Sequence, residues 1–384
     1  MKAIIIGAGM GGACAGIALK NFGYGTEIYE AVSMIKPVGA AISLWPNGVK
    51  CLNFLGLQDQ IKALGGDMAA MAYHDYQSAE VLTRFAMRPL VDRVGEFPYP
   101  VARAELQAML LEAFGQERVH LNKRLTHIED SGNGVTAWFD DGSKATGDLL
   151  VGADGTHSVV RRHVLGHDVE RRYAGYVNWN GLVNADETLA PRNQWTTFVG
   201  EGKRVSLMPV AGGRFYFFFD VPLPKGLVQH RERARDDLRR YFAGWCLPVQ
   251  RLIESIDPHA TNRVEIHDID PFMTFMRGRV VLIGDAAHST TPDIGQGGCA
   301  AMEDAVVLAL SLRTHSLGTE DALRRYQESR AERVKSLVLK ARKRCDITHG
   351  KDPAATRQWY QSLKTETGEH ILDGLAETIL GGPL

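Results

Sequence analysis

The chain has 384 residues, enough for two or three domains and a large core. With 44 Lys and Arg against 45 Asp and Glu, bulk charge gives no sign of a nucleic-acid or polyanion partner, and it leaves room for a local pocket for one small anion. Five scattered cysteines without a CxxC pair, 13 histidines without HExxH and no run of about 18 apolar residues lead us to expect no disulfide framework, no metal site, no membrane span and a reducing, cytoplasmic setting.

Residues 2–6 form a β-branched apolar run, which predicts a buried strand. The turn GAGMGG follows and opens a helix over about 11–22, and residues 26–29 read as the next strand, so the opening is a βαβ unit on a parallel sheet. Its glycine spacing and the charged strand beyond it distinguish this apolar start from a secretory leader. Gly7 allows a tight turn, Gly9 lets a pyrophosphate approach the backbone, and Gly12 lets the helix pack on the strand. Glu30 ends the next strand eighteen positions after Gly12, near the spacing of a carboxylate that binds a ribose hydroxyl.

Residues 73–96 read as irregular. VARAELQAMLLEAFG (101–115) then predicts a helix with Leu106, Met109, Leu110 and Phe114 on one face. GDLLVGADG (147–155) is a strand running into the turn Asp154-Gly155, with Arg161 in or opening a short helix. Residues 173–269 are rich in strand formers, with helical signals only near 230–256, and predict a mostly antiparallel sheet. Within them RVSLMPVAGGRFYFFFDVP (204–222) reads as two strands joined at Gly212-Gly213. Arg204, Ser206 and Met208 share one face of the first strand; on the second, Phe215, Phe217 and Phe219 oppose Tyr216, Phe218 and Asp220. An arginine among such neighbours either pairs with Asp220, reaches water at a sheet edge, or meets an anionic ligand.

RGRVVLIGDAAH (277–288) returns to a parallel-type strand that ends in Gly284-Asp285. The turn 292–298 leads into a helix near Ala301, and helices are expected over 302–312 and about 320–344. On the second, Val334, Leu337, Val338, Ala341 and Cys345 share a face, and the Lys and Arg between them form a solvated one. Asp285 at a strand end can bond a polyol hydroxyl. The backbone amides of Gly295, Gln296, Gly297 and Gly298 at a helix start can face an electron-rich ring. The competing reading is a tight turn with Asp285 as its cap. NAD alone needs no second grip far along the chain; the longer FAD does.

GxGxxG with Glu30, then Asp154-Gly155, then Gly284-Asp285 with PDIGQGG, in this order and over essentially the whole chain, resembles the single-component flavoprotein aromatic hydroxylases of the p-hydroxybenzoate hydroxylase fold. The resemblance implies an α/β fold: a Rossmann-type FAD-binding domain (1–72, 97–172 and 270–342), an interleaved, mostly antiparallel β-sheet substrate domain (73–96 and 173–269) and a C-terminal helical segment (343–384). It implies FAD contacts from Gly7, Gly9, Gly11, Gly12, Glu30, Ala31, Ser43 in VGAAISLWPNG (38–48), Arg103, Leu125, Asp154, Asp285 and the turn 295–298. Asp154-Gly155 then also bears on NAD(P)H. Where many relatives carry Asn this chain has Cys299, so a polar side-chain contact to the flavin is not expected there.

RRYAGYVNWNGLV (171–183), QWTTFVGEGKRVSLMPV (194–210), GRFYFFFDVPLP (213–224) and KARKRCDITHG (340–350) resemble, more narrowly, the FAD-dependent urate hydroxylases. That resemblance implies Arg204 as the main catalytic residue, facing the urate ring with Asn178, Tyr216 and Phe218. It implies that NADH (NADPH being the other donor) reduces FAD, that O2 adds to give a C4a-hydroperoxide, and that its distal oxygen goes to C5 of urate, giving 5-hydroxyisourate. The alternatives are the same hydroxylation of a salicylate- or hydroxybenzoate-like phenol and a non-catalytic flavin-binding protein. Gly284-Asp285 disfavours a plain NAD-dependent dehydrogenase, and the lack of WxWxIP disfavours a halogenase.

Overall fold

Lys2–Ile6 lies inside a six-stranded sheet ordered 276–277, 280–282, 149–152, 2–6, 25–29 and 119–120 in the computed structural model, which describes residues 1–35, 39–228, 230–313 and 318–384. Val38, the first residue of the stretch 38–48, is outside the described residues. The pairings are parallel except at the edge pair 276–277 and 280–282. Strands covered on both faces need unbroken apolar runs, and Ile4, Ile5, Leu150, Val151 and Val281 are fully buried. The register aligns Ile6 with Tyr29 and with Gly152, and Gly152 with Leu282. The turns that follow these four strand ends therefore open along one edge, where ligands of open α/β sheets bind.

The second sheet has seven strands ordered 262–269, 171–184, 214–222, 203–210, 194–200, 70–75 and 81–86. Gly212 and Gly213 turn the central hairpin at φ of 75° and 65°, a conformation that favours glycine. Its register sets Arg204 opposite Asp220, Ser206 opposite Phe218 and Met208 opposite Tyr216. One face buries Val205, Leu207, Phe215, Phe217 and Phe219 in a second core with Phe242 and Val249. The other carries Arg204, Tyr216, Phe218 and Asp220, with Tyr216 packed against the first core and Arg204 reaching Asp293.

The stretch 73–96 is not irregular. Ala70–Asp75 and Val81–Ala86 are strands and Arg88–Val94 is a helix. Ala70–Asp75 pairs in parallel with Gln194–Gly200, a partner more than a hundred residues away that local pattern does not reveal. The helix expected from 302 begins at the glycine turn itself, as Gly297–Leu312. The long helix Thr319–Thr348 runs unbroken past residue 342, and Val334, Leu337, Val338, Ala341 and Cys345 are buried along it. Pro353–Leu363 and Glu369–Leu380 complete the helices. No helix among the described residues is long and apolar enough to cross a membrane.

Candidate active site

Helix Met10–Asn21 starts at Gly9, whose backbone is extended and which makes no side-chain cap hydrogen bond. Gly7 has φ of 104°, and a Cβ there would collide with the Ala153 carbonyl; a Cβ at Gly12 would collide with the Gly7 carbonyl. At Gly9, by contrast, nothing lies within 4 Å of such an atom. The turn is thus locked at its back and open at its front, the form a pyrophosphate cradle takes. Glu30 accepts the Ala8 N–H at 2.8 Å and the Val32 N–H at 3.1 Å, while Gln107 donates to the Ala8 carbonyl at 2.9 Å. Ala31 follows in the bend. The Glu30 carbonyl accepts the Lys123 N–H at 2.8 Å, which brings the strand Leu125–Asp130 alongside.

The second grip meets the first at one methyl group. A Cβ at Gly11 would lie 3.4 Å, and one at Gly284 3.2 Å, from the Ala301 Cβ. Asp285 is exposed at the start of the short helix Asp285–His288, whose remaining residues are buried. Gly295 has φ of 65°, and a Cβ there would sit 2.7 Å from both Ser43 Oγ and Trp45 Nε1. Gln296 turns inward, 1% exposed, and its side-chain oxygen accepts from Asn47 at 2.8 Å; it offers a ligand only its backbone. Cys299 is fully buried, behind the turn, where a Cβ at Gly48 would stand 2.8 Å from its sulfur.

Asp154 accepts from Ser158 Oγ and from the Val159 and Val160 N–H groups at 2.5, 2.7 and 3.1 Å, so it supports the first turn of the helix Val159–Leu165, whose N-cap is Ser158. Burial pushes its carboxyl pKa up, against these donors. From that helix Arg161 donates to the Ala286 and Thr156 carbonyls at 3.1 and 2.8 Å, tying the Asp154-Gly155 turn to the Gly284-Asp285 turn. Arg103 opens the helix Arg103–Phe114; its N–H donates to the Ala40 carbonyl at 3.0 Å, and its guanidinium lies beside Gly39.

On the antiparallel sheet, Arg204 Nε donates to Asp220 Oδ2 at 2.8 Å and Nη2 lies 2.6 Å from the same oxygen. Nη2 also stands 3.5 Å from Asp293 Oδ1, and the guanidinium lies 5.0 Å from the centre of the Phe218 ring. The pairing with Asp220, one of the readings open from sequence, is therefore present. Burial opposes the Arg204 charge, but Asp220 and Asp293 outweigh it and hold the pKa well above its ordinary value. Asn178 donates to Asp220 Oδ1 at 2.6 Å and accepts from Asn180 at 2.7 Å; Asn180 in turn accepts the Ala40 N–H at 3.1 Å. The Tyr216 ring is 5.6 Å from Phe218, and burial raises its hydroxyl pKa.

The structure thus gathers Asn178, Arg204, Tyr216 and Phe218 on one face. It adds residues that sequence reasoning missed: Asp293, Tyr176, Asn180 and His349. Tyr176 donates to Asp293 Oδ2 at 3.0 Å, and His349 Nε2 lies 3.2 Å from Oδ1. Asp293 and His349 stood inside stretches already singled out, PDIGQGG and KARKRCDITHG, but their meeting is tertiary. Donor atoms of Asp293, Cys345 and His349 lie within 4.8 Å of one another. Arg204, Tyr176 and His349 already surround that carboxylate, and burial raises the Cys345 pKa, away from the thiolate a metal needs.

A Rossmann-type sheet whose glycine turn meets a second, remote turn, beside an antiparallel sheet with a largely buried guanidinium, is the architecture of a flavoprotein; the chain belongs to the FAD binding domain family, whose model matches residues 1–341. It is 61% identical to the FAD-dependent urate hydroxylase of Klebsiella pneumoniae subsp. pneumoniae, with 100% of each chain covered. It is 53% identical to that of Mycolicibacterium vanbaalenii, over 100% of this chain and 98% of the other. It superposes on the crystal structure of Klebsiella pneumoniae HpxO complexed with FAD and uric acid with a TM-score of 0.98, at 60% identity, over 100% of this chain and 97% of that one.

Proposed function

We propose that this chain is an FAD-dependent urate hydroxylase, a monooxygenase that uses NADH and O2 to convert urate to 5-hydroxyisourate. The observation that carries the reading is Arg204, a largely but not fully buried guanidinium held by Asp220 over the Phe218 ring and in contact with Asp293, in the turn that enters Gly295. The full-length likeness to urate hydroxylases supports it.

The residues fit FAD: the backbone is open at Gly9, Asp285 is an exposed carboxylate, and the two turns adjoin at Ala301. Gly7, Gly9, Gly11 and Gly12 would take the pyrophosphate, Glu30 and Ala31 the ribose, and Leu125 the adenosine side. Asp285 would take the ribityl chain, and the amides of 295–298 the ring, with Ser43, Arg103 and Asp154 around them. Bound FAD supplies the activation of O2, with electrons from a nicotinamide. On this reading 1–72, 97–172 and 270–342 carry the cofactor, and 73–96 with 173–269 cover the substrate.

The protein's own part is to orient the substrate and exclude water. Urate is largely a monoanion near neutral pH, so its charge is in place without a general base. Arg204 stabilises that charge through Nη1, because Nε and Nη2 face Asp220. A guanidinium so engaged suits a ring with a delocalised charge and alternating donors and acceptors. It suits the localised carboxylate of a salicylate-like phenol less well, since that calls for both arms of the fork. Asn178 has an unused amide proton and lone pair for a purine edge, and Phe218 packs against a planar ring. NADPH is the second donor to compare, and a reducing cytoplasm suits five buried free thiols.

The test is NADH oxidation by the purified, flavin-loaded protein with and without urate, with loss of urate absorbance and peroxide followed together. Urate-stimulated oxidation with little peroxide is expected. Oxidation that yields peroxide and leaves urate intact would point to another substrate.

A further inference from the structure

His349 has no part in the chemistry above, yet it lies under the substrate face at the end of the long helix Thr319–Thr348. Its side chain is 4% exposed, and its ring stacks on Tyr176 with centroids 3.8 Å apart and planes at 22°. Nε2 stands 3.2 Å from Asp293 Oδ1, and Nδ1 stands 3.4 Å from the Gly202 carbonyl, in the turn that enters the Arg204 strand.

Asp293 raises a question of necessity. Asp220 alone neutralises Arg204 through Nε and Nη2. A second fully buried carboxylate is costly to desolvate unless other groups compensate it. Tyr176, at 3.0 Å, and His349 are those groups, while Nη2 of Arg204 is its longer contact at 3.5 Å. Asp293 also sits in the single turn Pro292–Ile294 that leads straight into Gly295. It therefore joins the guanidinium to the turn assigned to the flavin ring.

We infer that His349 and Asp293 are a positioning pair for Arg204: His349 and Tyr176 fix Asp293, Asp293 with Asp220 fixes Nη2, and Nη1 remains the donor for substrate. The inference deepens the urate hydroxylase reading and rests on it. Neither residue needs to touch urate.

The experiment uses flavin-loaded full-length enzyme and measures kcat and KM for urate and urate oxidised per NADH consumed. Wild type comes first: no urate-stimulated oxidation there would remove the functional reading, apart from any statement about the pair. With wild type active, His349→Phe keeps a ring against Tyr176 and deletes both nitrogens. It should retain FAD but lose about tenfold in kcat/KM, with fewer urate molecules oxidised per NADH. His349→Gln, which can still donate to Asp293, should recover most of the coupling. Wild-type coupling in His349→Phe, or a Gln variant as impaired as the Phe variant, overturns the inference. If His349→Phe fails to fold, Asp293→Asn takes its place. It should show the same loss of coupling with FAD retained, and normal coupling there overturns the inference equally.

Discussion

Arg204 is charged at any working pH, because two buried carboxylates flank it against the cost of burial. An acid limb in the activity profile would therefore come from another group. Replacing it with Gln keeps polarity and removes charge, so urate turnover should fall about ten- to a hundred-fold, the effect of losing one charge-assisted contact of about 1.5–3 kcal/mol. Arg204→Lys should not restore it, since an ammonium cannot reach Asp220 through two nitrogens and still present a third to substrate. Steady-state kinetics on the two variants check this; full activity in either would remove the guanidinium from the mechanism. The Arg204–Asp220 pair was one of three readings that alternation along two strands left open, and the register of the hairpin selects it. The Asp293–His349 contact was not legible, because its members lie 56 residues apart and only the course of the long helix brings them together.

The glycine-rich turn separates fold from binding at the level of one element. Gly12→Ala would drive a methyl group into the Gly7 carbonyl, whereas Gly9→Ala meets nothing within 4 Å. We therefore expect Gly12→Ala to lower the melting temperature, and Gly9→Ala to leave it near wild type while weakening FAD binding. Thermal unfolding of apoprotein and a flavin titration distinguish the two; equal thermal losses would contradict this reading of the turn. The βαβ opening and the hairpin were legible because period-two alternation and glycine punctuation are local signals. The pair 70–75 and 81–86 was not, because Ala70–Asp75 is defined by parallel pairing with Gln194–Gly200. Cys299 shows the same limit: adjacency in sequence to the turn 295–298 does not reveal that its thiol packs against Gly48.

Across the molecule, a buried ion network braces the second grip. Arg330 is 2.7 Å from both Asp304 and Glu303, Arg333 is 3.0 Å from Glu303, and Asp304 also accepts the Gly284 N–H and contacts His288. Arg330→Met would leave two buried carboxylates short of a partner, and should cost about 3–5 kcal/mol in chemical denaturation; a loss near zero would show that the network adds little. Burial alone would raise the Asp293 and Asp304 pKa values. His349 and Arg204 at the one, and His288 and Arg330 at the other, instead lower them from 3.8 to about 2. A depressed folded-state value means that the unfolded chain binds protons first. The stability from these two groups is present above pH 3.8 and is lost as pH falls through about 2. Unfolding free energy measured across that window should fall with acid, and a flat profile would contradict the assignment. The most direct test of the whole account is turnover of urate by the flavin-loaded enzyme with NADH under heavy-isotope O2, the product being analysed by mass. One labelled oxygen atom in each product molecule is the predicted result; urate recovered unlabelled and unchanged, with all the label in peroxide, would contradict it.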